Sequence, residues 1–256
     1  MRPRSVFLVP LLLCSLTLTR PAPAAEGDWE QTSDKDGVQV WKREDPGSPF
    51  HGIKGSGEVK APPVVVAQVL LDEARSPEWI DSLAEARVVQ QAAEDDYIEY
   101  NRVDMPWPVR DREFLPPVHM SLDEATGVAT IKSEPFTLAA LPPKPKTIRG
   151  TLRAIYVLEP LADGAHTRLT VEIHSDPGGW LPAWLVNFFQ KDWANETIAG
   201  IRRQTAKTDL TRPDEFKVWL ARFDARRPPP TATPGAPARS SGSSSPSDAA
   251  PPPRAP

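Results

Sequence analysis

Apart from one short helical stretch, the hydrophobic period of this chain is that of strands until it changes late in the sequence, and that change constrains the fold more than any motif does. Up to Asp176 apolar residues mostly alternate with polar ones, the two-residue period of strands buried on one face. The segments "TIRGTLRAIYVLEPL" and "HTRLTVEIHSD" show it best. Ile155, Val157, Leu169, Val171 and Ile173 recur at alternate positions on either side of an "ADGA" turn. From Trp180 to Lys207 the spacing becomes helical, with Leu181, Trp184, Leu185, Phe188, Trp193, Ile198 and Ile201 apolar and Gly200 the only glycine. The first half of that helix is apolar nearly all round, more than one sheet can cover.

Earlier segments supply the rest of the order. Asp36 to Glu44, after an Asp-Gly turn, and Phe50 to Ala61 read as strands, and Gly52, Gly55 and Gly57 predict bends or bulges in the second. Pro62 and Pro63 suit a first helical turn. Val65, Val66, Val69 and Leu70 carry that helix to Asp72, and Pro77 stops it. Four strands follow, in "EARVVQQA", "DDYIEYNRVDM", "REFLPPVHMSLD" and "GVATIKSE". The acidic run Glu94, Asp95, Asp96 reads as a solvated hairpin tip. The fold class expected is α+β: one curved antiparallel sheet wrapped around a long carboxy-terminal helix, spanning residues 26–207. A helical extension, 208–227, puts Phe216, Leu220 and Phe223 on one face.

Neither end of the chain reads as part of that fold. Arg2 and Arg4 followed by an apolar run and "APAA" predict a signal peptide over residues 1–25, too short to span a bilayer and cleaved on export. The expected location is therefore periplasmic or secreted. The only cysteine, Cys14, lies inside this segment behind Leu13, which argues against lipidation and leaves no thiol in the mature chain. Residues 228–256 are Pro/Ser/Ala-rich without a large apolar residue and predict disorder.

Charge and motif spacing narrow the function classes. The chain has 30 basic and 34 acidic side chains. Arg2, Arg4 and Arg20 are in the predicted signal, leaving 27 against 34, which disfavours nucleic acid and broad attachment to anionic lipid. His51, His119, His166 and His174 lack ligand spacing, so no metal is expected. The glycines do not follow dinucleotide spacing, "GSG" lacks the spacing of a nucleophile elbow, and no cofactor or catalytic residue is predicted.

The most specific stretch is "MPWPVRDREF", residues 105–114. Pro106 and Pro108 cannot donate to a ladder, so they force an elbow between two strands, and Trp107 is free to plug one end of the sheet. The order of elements, "SPEWIDSL" after the first helix, and Pro106-Trp107-Pro108 followed by Arg112, Glu113 and Phe114 resemble the START domain, the lipid-transfer fold related to steroidogenic acute regulatory protein. Glu113 stands where the family commonly has aspartate.

The resemblance implies a helix-grip fold whose sheet and last helix enclose an elongated apolar cavity for one lipid or sterol, with a lid beside that helix. It places an acid at Glu99 and an arginine at Arg112 as a polar pair orienting the ligand, against the alternative of a rim salt bridge. Trp107, Trp184, Leu185 and Phe188 are the expected cavity or lid residues. The function expected is a monomeric, non-enzymatic carrier of a hydrophobic molecule, with transient membrane contact. Two other readings stand beside it. One is a cyclase-like enzyme using Glu99, Arg112 or Tyr100; the other is an envelope adaptor working through its tail.

Overall fold

The computed structural model describes residues 28–136 and 141–225. The expected signal at 1–25 and the tail at 228–256 lie outside the described residues. Within them, one sheet contains β1 (Glu30–Lys35), β2 (Val38–Arg43), β3 (Gly52–Val59), β4 (Leu83–Ala93), β5 (Asp96–Val103), β6 (Arg112–Phe114), β7 (Pro117–Leu122), β8 (Ala129–Ser133), β9 (Ile148–Arg149), β10 (Thr151–Pro160) and β11 (Thr167–Asp176). Its order is β1-β2-β3-β11-β10-β8-β7-β5-β6-β9, and β4 pairs with β5. All pairs are antiparallel except the two-residue contact of β6 with β9. The helices are α1 (Pro63–Leu71), α2 (Ala183–Gln190), α3 (Trp193–Thr205) and α4 (Lys217–Asp224), with 3-10 turns at Glu73–Glu78 and Asp214–Phe216.

Local chemistry accounts for the joints. Asp36 and Gly37 both take positive φ, 55° and 67°, as a two-residue hairpin turn requires, and they connect β1 to β2. β1 has no apolar alternation and stands at a sheet edge, so sequence period does not reveal it. The "REFLPPVHMSLD" strand is two strands, because Leu115 and Pro116 interrupt it between β6 and β7. Glu94 is not simply solvated: its carboxylate accepts the Val218 N–H (3.2 Å) and the Trp219 N–H (2.5 Å) at the start of α4, where a negative charge favours the helix.

Two expectations about the late helices change. The single helix from Trp180 to Lys207 is two, α2 and α3, broken at Lys191 and Asp192. The two pieces meet different surfaces. α3 packs directly on β3, with Ile198 and Ile201 fully buried, whereas α2 lies over a hollow. The glycines of β3 are not bulges, since β3 pairs with β11 in unbroken register from Ile53 to Val59. Gly55 permits the close approach of α3, since a Cβ there would lie 2.6 Å from the Ala194 Cβ, and on α3 itself a Cβ at Gly200 would lie only 2.5 Å from the Trp79 carbonyl oxygen. The segment 208–227 joins the main core through buried Phe216, Trp219, Leu220 and Phe223, and the Phe216 ring sits 4.9 Å from that of Tyr97.

Candidate functional site

Strand alternation builds the wall of the hollow. Tyr97, Glu99, Asn101 and Val103 are successive inward positions of β5. Register then sets Val118, Ser133, Ala154 and Ile173 beside Tyr97 across four further strands. Facing them are Glu73 and Trp79 from the turn after α1, and Leu185, Val186 and Phe189 from α2. The elbow residues Met105 to Trp107, with Val109, border one end. The cavity measures about 510 Å³, within the roughly 300–1,000 Å³ range of small-molecule sites.

The polar pair in this cavity is not the one expected. Glu99 and Glu73 both line the cavity, and burial raises the pKa of both, Glu73 well above the usual carboxylate range. Each carboxyl disfavours ionisation of the other, so the two titrate as a unit. The Asn101 side chain also bonds Glu99. Tyr97 and Tyr156 complete this region: burial, reinforced by the two glutamates, pushes both phenols upward.

Arg112 lines the same cavity but does not meet Glu99. It pairs with Val103, four residues further along β5, while the Glu99 N–H bonds the Pro116 carbonyl. Its guanidinium donates to the carbonyls of Pro177 (3.1 Å), Gly178 (3.5 Å) and Arg110. Arg112 therefore ties the elbow to the two-glycine segment leading into α2. Its neighbour Glu113 is fully buried and accepts from Arg149 (2.7 Å) and the Tyr100 hydroxyl (3.1 Å). Burial pushes the Glu113 carboxyl upward, but these bonds outweigh it and hold its pKa below the usual range. Tyr100 has the opposite parity to Glu99, packs under Arg87 and Lys144, and is not a cavity residue.

The lid candidates divide. Leu185 faces the cavity, whereas Trp184 and Phe188 point outward, 71 % and 56 % exposed. Trp107 does not plug the sheet: it is 92 % exposed at the cavity border, because its flanking prolines turn the loop away from the ladder. α2 is attached by Asn187, which accepts the His51 N–H (3.0 Å) and donates to the Pro49 carbonyl (3.2 Å), and by a long bond from Gln190 to the Ser175 carbonyl (3.4 Å). Sequence reading missed Glu73. Its signal is spacing, four residues beyond Val69 and three beyond Leu70, which continues the apolar stripe of α1. Among the described residues no helix is long and apolar enough to cross a membrane.

A bent sheet, helices packed across it and a cavity between them define a helix-grip domain. The chain belongs to the START domain family, whose pattern matches residues 15–207. It is 29 % identical over 184 residues to an uncharacterized protein of Pseudomonas aeruginosa, covering 70 % of this chain and 88 % of that one. The STAR-related lipid transfer protein of Xanthomonas axonopodis superposes with a TM-score of 0.63 at 24 % identity, covering 70 % of this chain and 99 % of the other. Human StAR-related lipid transfer protein 5 gives 0.63 at 20 % identity, covering 69 % of this chain and 86 % of that one.

Proposed function

We propose that this domain is a non-enzymatic carrier that takes one hydrophobic molecule into the cavity between its sheet and α2, shielding it from water. The cavity itself carries the reading. Space left unfilled by side chains costs a core stability, and about 510 Å³ stands open between the sheet and α2, so the hollow is a poor way to build a core and a good way to hold a guest. Each methylene buried there contributes about 0.8 kcal/mol, enough for an acyl chain or fused rings to bind with few polar contacts. Proteins named for lipid transfer share the fold, which supports the same ligand class.

Exchange takes place by movement of α2, a gating step rather than chemistry. Trp107, Trp180, Trp184 and Phe188 project from the loops and helix bordering the cavity and touch a bilayer transiently while the guest passes. Export to the periplasm or medium, implied by the first 25 residues, places the carrier among envelope lipids. The test is uptake of a fluorescent acyl or sterol probe by delipidated protein, which should saturate at one probe per chain. Ala154→Phe, which fills the cavity from β10, should keep the fold and abolish uptake. Saturable binding that survives this substitution would relocate the site.

A further inference from the structure

At the end away from the elbow, the sheet does not close its own cavity. The inward positions of β5 run from Val103 at the elbow to Tyr97. β8 and β10 continue one inward step further, with Ile131 and Tyr156 facing the cavity side by side. β5 cannot follow, because its next position of that parity is Asp95, in the turn to β4. A segment from the far end of the chain fills the gap. Phe216 is 1 % exposed and is not itself a lining residue, but its ring sits 4.9 Å from that of Tyr97, which is. Trp219, Leu220 and Phe223 of α4 are buried in the same cluster. The β4–β5 hairpin holds this segment in place: Glu94 accepts the Val218 and Trp219 N–H groups, and the Gln91 side chain donates to the Glu215 carbonyl (3.2 Å). All of these late residues lie beyond position 207, where the match to the family pattern ends.

We infer that this carboxy-terminal segment sets the length of guest the cavity accepts, with Phe216 fixing the limit through Tyr97. This rests on the carrier reading above and adds a size limit to it. Protein interiors are close-packed, so Tyr97 cannot retreat from an entering chain while Phe216 fills the space behind it. A guest too long for the closed cavity leaves its last methylenes at the mouth, in water, where they add nothing to affinity. Each methylene that is buried instead tightens binding about fourfold. Truncating Phe216 would open the space of one aromatic ring behind Tyr97, and an apolar void of that kind stays dry and takes up apolar groups. Phe216 touches no guest and is a positioning residue. Its signature is therefore the limiting length, not affinity as such.

Straight-chain alkanols of stepwise length, competing with a fluorescent acyl probe on delipidated protein, read that limit directly. In the wild type, affinity should climb about fourfold per added methylene up to a limiting length and level off beyond it. In Phe216→Ala the shorter alkanols should bind as they do to the wild type, while the climb continues for about two to three more methylenes, the share of the lost ring. The longest alkanols should then bind about tenfold more tightly than to the wild type, or better. Phe216→Leu keeps more of the packing and should extend the limit by about one methylene, which covers an alanine variant that fails to fold. Near-ultraviolet circular dichroism reports folding. A limit unchanged in a folded variant would overturn the inference and leave Phe216 a support of the core. A loss of affinity shared equally by every alkanol would do the same. A wild type whose affinity climbs without levelling would overturn it even if no variant folds. Displacement by no alkanol, with probe uptake still saturable, removes the length limit and leaves the carrier reading standing; no saturable uptake of the probe removes both.

Discussion

Glu99 shows how residue type and residue role separate. Its position in β5 makes it an inward acid, and that much follows from alternation around Tyr97 and Asn101. Its partner does not. Glu73 lies 26 positions earlier, in a 3-10 turn, and only the folding of α1 against the sheet brings the two carboxyls together. The pair has a signature in stability. Burial raises the folded-state pKa of Glu73 above the unfolded value of about 4.3. The unfolded chain then ionises first as pH rises, so the folded state loses relative stability from that value up through the raised pKa. Glu73→Gln has no proton to lose. It should melt at a higher temperature than the wild type at about pH 8, with the gap closing as the pH falls toward about 4. A gap that widens on acidification would contradict the buried, protonated carboxyl.

At the scale of elements, the interface of α3 with β3 decides where the cavity can be. Glycine in a helix interior ordinarily costs about 1 kcal/mol relative to alanine, and Gly200 reverses that rule. An alanine there would place its methyl 2.5 Å from the Trp79 carbonyl oxygen. Gly200→Ala should therefore destabilise by about 1–3 kcal/mol in a urea melt, where propensity alone predicts a gain. Gly55→Ala should lose a similar amount because its methyl meets that of Ala194 at 2.6 Å. Ala194→Gly in the same chain should recover part of the loss, a coupling that independent sites would not show. Tight seating of α3 on β2, β3 and β11 leaves α2, across the break at Lys191, standing over the cavity. Gly55 was visible as a glycine; that it serves a helix instead of a bulge depends on what packs above it.

The whole molecule has a greasy rim around a greasy interior. Trp180 is 87 % exposed, and Trp107 on the elbow is exposed too, beside a helix whose outer face carries Trp184 and Phe188. Soluble domains rarely leave several large aromatics together in water without a use for them. Serine at both Trp184 and Phe188 should slow probe transfer to phospholipid vesicles by roughly tenfold, the weight of about 1.4 kcal/mol, and leave affinity in free solution unchanged. An equal loss in both measurements would mean that α2 holds the guest without meeting a bilayer.

Period alone was enough to read a curved antiparallel sheet followed by helix, because burying one face of a strand or one stripe of a helix leaves its imprint on neighbouring residues. The Pro-Trp-Pro elbow was equally legible, since proline acts on its own backbone. Three-dimensional packing decided the rest: the splitting of the last helix, the use of Arg112 to tie down backbone carbonyls, and the meeting of Glu73 with Glu99. Each depends on groups distant in the chain arriving within a few ångströms of one another. Local periodicity carries no record of such distances, and a hollow has no residues of its own to leave a pattern.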